Sequence, residues 1–137
     1  MRKILFDVNV VLDVLLDRKP DGEASAVAFA AAEMGTVQGW LAAHAVTTLY
    51  YLIRQEMSVT KAKQILSAIL SVFKVAAVDD TVIQEALQLS WPDFEDAVTA
   101  AAARQAHCNY IVTRDPKGFH GSAVRSLPPE AVVQLWS

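Results

Sequence analysis

The feature that most constrains this chain is the order of its apolar runs. Short runs suited to buried strands, residues 4–6, 37–42, 73–78 and 110–113, alternate with longer stretches of helical periodicity, and no two-residue hairpin signal joins any pair of them. Strands separated by helices pair in parallel, so the pattern predicts an α/β domain built on a mainly parallel sheet. Such a sheet is covered on both faces and needs an apolar surplus. The chain has one, with 53% hydrophobic residues and a mean hydropathy of +0.28. Its 137 residues form one domain, 1–137, with no repeat or linker.

The helical stretches are readable from caps and spacing. Residues 10–16 form a short helix, and the alanine-rich stretch 23–33 forms another that stops near Gly35. A third covers 44–55, with Val46, Leu49, Tyr50 and Ile53 on one face, and Ser58 opens a fourth. Asp79 or Asp80 caps a fifth through Leu87, and Pro92-Asp93 starts a sixth that continues to about His107. Residues 123–126 are an expected edge strand, and Pro128-Pro129-Glu130 begins a short terminal turn or helix.

Several function classes drop out early. The uncharged stretch between Glu33 and Arg54 is long enough to cross a bilayer, but Gly35, Gln38, Gly39, His44, Thr47 and Thr48 make it a turn, a strand and a buried helix. Asp7, Asn9 and Asp13 interrupt the apolar N-terminus, which argues against a secretion signal and for a cytoplasmic protein without a membrane. A lone cysteine, Cys108, agrees with a reducing compartment. Net charge is −3, so no overall basic field grips nucleic acid, although a site that binds divalent cations brings its own positive charge. The first strand is followed by Asp7-Val8-Asn9-Val10 rather than by glycines, which excludes a phosphate-cradling loop. Three histidines and one cysteine do not make a structural zinc site.

What remains is acid. Ligands of parallel sheets collect beyond the carboxyl ends of the strands, near the point where strand order reverses. Asp7 closes the first strand, Asp115 follows the strand at 110–113, and Asp96 lies one turn into the helix begun at Asp93. Three carboxylates suffice to hold a hard cation that keeps several waters. Each also has a plainer explanation: Asp93 as helix cap with Asp96 favoured in the first turn, and Asp115-Pro116 as a turn pair. Asp7 is harder to dismiss, because a carboxylate ending a buried strand is costly unless paired. Asn9 is a candidate cap for the helix that follows, and Asp13 either faces solvent or orients a neighbouring group.

Three segments, Ile4-Leu-Phe-Asp7-Val-Asn9-Val-Val-Leu-Asp13, Asp93-Phe-Glu-Asp96-Ala and Tyr110-Ile-Val-Thr113-Arg114-Asp115, occur in an order that resembles the PIN domain family, in its branch with a D-F-E-D-A motif. The resemblance covers nearly the whole chain. It implies a three-layer α/β/α sandwich and a metal-dependent ribonuclease hydrolysing RNA phosphodiesters with Mg²⁺ or Mn²⁺, with the toxin of a toxin–antitoxin pair as one such role. It further implies Asp7, Asp96 and Asp115 as the acidic site, with Asn9 and Asp93 behind them. The pattern departs at Thr48, where the family usually has a glutamate on the helix before an L-Y-Y-like segment, and at Gly118, where a further acid often stands. Thr48 brings a hydroxyl without charge, so weaker metal affinity is expected. His44, one turn earlier, either substitutes in part or is a buried histidine satisfied by a neighbour.

On this reading Arg114 is a candidate phosphate contact, and Arg18, Lys19 and Lys117 border the RNA groove; ordinary surface charge explains them equally well. The helix faces at 24–32 and 46–53 serve either the core, a homodimer or an antitoxin segment. Two rivals stand beside the nuclease: a PIN-like domain without activity, acting as an RNA- or protein-binding module, and a phosphohydrolase of the haloacid dehalogenase type. The latter needs a second acid where this chain has Asn9.

Overall fold

The first apolar run becomes the middle of the sheet. In the computed structural model, which describes residues 1–136, β1 (Lys3–Phe6) pairs in parallel with β2 (Gln38–Ala42) on one side and β4 (Tyr110–Val112) on the other. The flanks are β3 (Lys74–Ala76) and β5 (Arg125–Leu127), giving the order β3-β2-β1-β4-β5, every pairing parallel. The period of two then decides where side chains go. Ile4 and Phe6 enter one core layer, Leu5 the other, and all three are fully buried.

Right-handed crossovers explain the layers. The chain steps outward from β1 to β2 to β3, and the connecting helices α1 (Val8–Leu15), α2 (Gly22–Glu33), α3 (Ala43–Glu56) and α4 (Val59–Val72) cover one face. It then returns across β1 to β4, so α5 (Asp80–Leu89) and α6 (Phe94–Gln105) cover the opposite face. This is the expected three-layer α/β/α sandwich. Where α6 crosses the sheet it buries Ala97, Val98 and Ala100–Ala103, small side chains that let a helix lie close to the strands. On the other face Phe73 packs against Phe6 and Phe29, at 5.0 and 5.3 Å between ring centroids. Gly39 makes room for it, since a Cβ there would come within 2.6 Å of the Phe73 ring.

Boundaries differ from the sequence expectation for local reasons. The first helix starts at Val8 rather than residue 10, because Asp7 itself is the cap: its Oδ1 accepts from the Val8 N–H at 2.8 Å. Asn9 is therefore inside the first turn and is not the cap. Asp79, not Asp80, caps α5, accepting from the Val82 N–H at 3.0 Å. The strands at 37–42, 73–78 and 110–113 are trimmed to Gln38–Ala42, Lys74–Ala76 and Tyr110–Val112, since pairing covers only part of each apolar run. The edge strand is Arg125–Leu127 rather than 123–126, in register with β4, and the terminal segment Pro129–Trp136 is a 3₁₀ helix. The uncharged stretch after Glu33 resolves into a turn, β2 and α3, and among the described residues no helix is long and apolar enough to cross a membrane.

Candidate acidic site at the strand-order reversal

Strand order reverses between β1 and β4, and the carboxyl ends of these two strands open the crevice where a parallel sheet binds ligands. Asp7 stands at the end of β1. Its backbone N–H continues the ladder to Val112 O at 2.9 Å, while Oδ2 accepts from the Thr113 hydroxyl at 2.9 Å. Burial raises the carboxyl above its ordinary value, the Thr113 and Val8 donors working against it. Thr113 is buried and serves both sides, because its Oγ1 also accepts from the Asp115 N–H at 3.1 Å. One hydroxyl thus fixes Asp7 relative to the turn that carries Asp115. Sequence reasoning quoted Thr113 in a motif without giving it a role; the available signal was a β-branched polar residue closing a buried strand one position before the Arg-Asp pair.

Asp115 leads into a 3₁₀ turn (Pro116–Phe119), closed by the Gly118 N–H on Asp115 O at 3.0 Å. Asp96 approaches from α6. Its N–H is held by the Asp93 carboxylate at 3.1 Å, so Asp93 is the cap of α6 and directs the first turn. A Cβ on Gly118 would lie 3.0 Å from Asp115 Oδ2 and 3.3 Å from Asp96 Oδ2, so the bare glycine leaves space that both carboxylates face. Asp96 is pushed up to about 7, first by burial and then by Asp93, Asp7, Asp115 and Glu95. Among the described residues no donor is hydrogen-bonded to its carboxylate. The structure therefore brings Asp7, Asp96 and Asp115 to one crevice, where Asp7 has the Thr113 and Val8 donors and the pull of Arg114, and Asp96 has no donor or cation of its own among the described residues.

Other candidate residues fall differently. Thr48 lies on α3 with its hydroxyl turned back onto His44 O at 3.2 Å. His44 Nε2 lies 3.3 Å from Thr99 Oγ1, and burial lowers the imidazole below its ordinary value. Asn9 is half-buried in the first turn of α1. Arg114 pairs with other acids, its Nε 3.3 Å from Asp13 Oδ2 and its Nη1 2.8 Å from Asp21 Oδ2, while its charge still favours the ionised form of Asp7. Asp13 is fully buried, which settles the choice left open for it, and it also accepts from Ser25 Oγ at 3.0 Å and lies 3.9 Å from Arg18. Lys19 and Lys117 are exposed.

No three His, Cys, Asp or Glu side chains among the described residues converge closely enough to cage a cation as they stand. The donors nonetheless fit a hard divalent ion. Mg²⁺ keeps most of its waters and needs only one or two carboxylates, and Asp96, raised first by burial, is raised further by Asp93, Asp7, Asp115 and Glu95 around it.

A sequence profile of the PIN domain matches residues 3–117. No curated protein matches the chain significantly. Solved structures with similar folds include FitAcB from Neisseria gonorrhoeae, 24% identical with a TM-score of 0.67, covering 92% of this chain and 97% of that one. A toxin–antitoxin complex from Klebsiella pneumoniae gives 18% identity and a TM-score of 0.70 over 92% of this chain and 97% of the other. DNA-bound VapBC from Salmonella typhimurium gives 14% and 0.71 over 94% and 99%. At such identities the structural likeness establishes the fold.

Proposed function

The chain belongs to the PIN domain family, and from that premise we propose that it is a metal-dependent endoribonuclease hydrolysing RNA phosphodiesters. One observation carries the reading: Asp7, Asp96 and Asp115 gather at the reversal of strand order, with no donor or cation among the described residues on the Asp96 carboxylate. These three carboxylates would hold Mg²⁺ or Mn²⁺, which when bound lowers the pKa of a water and offsets charge on the phosphate. The rest is the chain's own work. Thr113 keeps Asp7 and Asp115 in fixed relation, Asp93 orients the turn carrying Asp96, and Gly118 keeps the space between carboxylates open. Asn9 lies in the first turn of α1, directly after the Asp7 cap. Arg18, Lys19 and Lys117 supply positive charge for the flanking phosphates.

The setting is the cytoplasm, with an antitoxin as partner and a homodimer as the assembled state. The antitoxin rests on the fold shared with the Klebsiella pneumoniae toxin–antitoxin complex. The competing reading, an inactive binding module, draws on Thr48, whose hydroxyl turns onto its own helix instead of toward the carboxylates. A ribonuclease assay titrated with Mg²⁺ and Mn²⁺ separates the two. Metal-dependent cleavage by the wild type, lost in Asp7→Asn, is the expected result; cleavage that Asp7→Asn leaves intact overturns the assignment.

A further inference from the structure

Between α3 and the first turn of α6, a cleft of about 370 Å³ adjoins the acidic crevice, lined among others by His44, Thr47, Thr48, Phe94, Glu95 and Val98. Most of its lining is apolar or neutral, and its carboxylate, Glu95, also acts electrostatically on Asp7 and Asp96. Phe94 is the first residue of α6, between Asp93 and Asp96 in sequence, and 44% of its surface is open to solvent. An exposed ring at the lip of a cleft presents a stacking face. His44 contributes a wall whose Nε2 lies 3.3 Å from Thr99 Oγ1, itself 3.0 Å from Glu95 O, and burial disfavours the charged imidazole. No lysine or arginine lines the cleft, so it is not built for phosphate. Glu95 is exposed, and among the described residues no donor or cation is paired with its carboxylate. Two free acceptor oxygens beside an aromatic face suit a flat, neutral heterocycle with adjacent N–H donors.

We propose that this cleft is a nucleobase subsite for a guanine flanking the phosphodiester at the acidic crevice, with Phe94 stacking on the base and Glu95 accepting from its N1–H and N2–H. Guanine offers a carboxylate two donors side by side; adenine, cytosine and uracil do not. The inference rests on the ribonuclease reading for its ligand, and its test has two independent arms.

The first arm titrates the full-length protein with guanosine, adenosine and uridine and follows backbone amide shifts by NMR. Guanosine is expected to shift residues 44–48 and 94–98 selectively, and Phe94→Ala and Glu95→Gln to abolish this. The second arm measures kcat/KM on short oligoribonucleotides that vary the base beside the cut. Phe94→Ala is expected to lower it about 5- to 100-fold, mainly through KM, with Phe94→Trp restoring it. Glu95→Gln is expected to remove the guanine preference and spare the other bases. Because Phe94 is exposed, these variants should keep the wild-type unfolding midpoint. Metal-dependent cleavage without base discrimination, or guanosine shifts unaffected by both variants, overturns the subsite and leaves the nuclease standing. Selective guanosine binding without cleavage overturns the nuclease and leaves the subsite standing.

Discussion

Replacing Asp96 by asparagine should make the metal-free protein more stable. The carboxyl is raised from 3.8 to about 7 in the fold, so the folded state holds its proton to higher pH than the unfolded chain does. The sign follows by linkage: the charge on Asp96 costs nothing below about pH 4, costs progressively more from there to about pH 7, and costs a constant amount above. In a water-excluded site this displacement would be worth about 4 kcal/mol. Asp96 is only partly buried, and solvent screening brings the figure to about 1–2 kcal/mol. Asparagine keeps the shape and removes the charge. Urea unfolding in EDTA, followed by tryptophan fluorescence, should show Asp96→Asn more stable by that amount at pH 8 and equal to wild type near pH 4. Saturating Mg²⁺ should stabilise the wild type and leave the variant almost unmoved. A variant that is less stable than wild type at pH 8 in EDTA would refute the reasoning, because Asp96 would then be an acceptor the fold needs.

Thr113→Val removes the hydroxyl shared by Asp7 and Asp115; a loss of about 1–3 kcal/mol is expected, together with a loss of cleavage that Thr113→Ser restores. Gly118→Ala places a methyl 3.0 Å from Asp115 Oδ2 and 3.3 Å from Asp96 Oδ2. Calorimetric titration should show weaker Mn²⁺ binding with an unchanged unfolding midpoint, and unchanged Mn²⁺ affinity would mean that the carboxylates do not use this space. Arg114→Ala leaves the fully buried Asp13 with only Ser25 and a distant Arg18. Chemical denaturation should register a loss of about 3 kcal/mol, and if the variant instead keeps its stability while losing RNA affinity, Arg114 is a phosphate contact after all.

The fold was legible because its determinants are local. Apolar runs, caps and the absence of hairpin turns depend on a few neighbouring residues, and Ser58, Asp79 and Asp93 each cap the helix that their position suggested. The acids were legible for a related reason: strand ends and first helical turns can be placed along a sequence, and parallel topology carries Asp7, Asp96 and Asp115 to one edge. What escaped was pairing across long separations. Thr113 meets Asp7 over 106 residues, and a polar residue closing a buried strand signals that its hydroxyl needs a partner without saying which one. The start of α1 was displaced for a different reason, since Asp7 ends a strand, caps a helix and faces the crevice at once, a coincidence that propensity treats as three separate positions.

Arg114 shows why proximity in sequence misleads about electrostatics. Beside Asp115 it invites a role at phosphate, yet its guanidinium lies against Asp13 and Asp21. The energies decide. An exposed ion pair is worth about 0–1 kcal/mol, whereas a buried carboxylate that loses its partner costs about 3–5 kcal/mol. Asp13 has no exposed surface, and one of its oxygens, Oδ1, has no hydrogen-bond donor among the described residues. The most demanding anion within reach therefore takes the nearest cation. The carboxylates of the crevice, more open to water than Asp13, keep only the longer-range pull of Arg114 on Asp7, and Asp96 is left with no donor or cation of its own among the described residues.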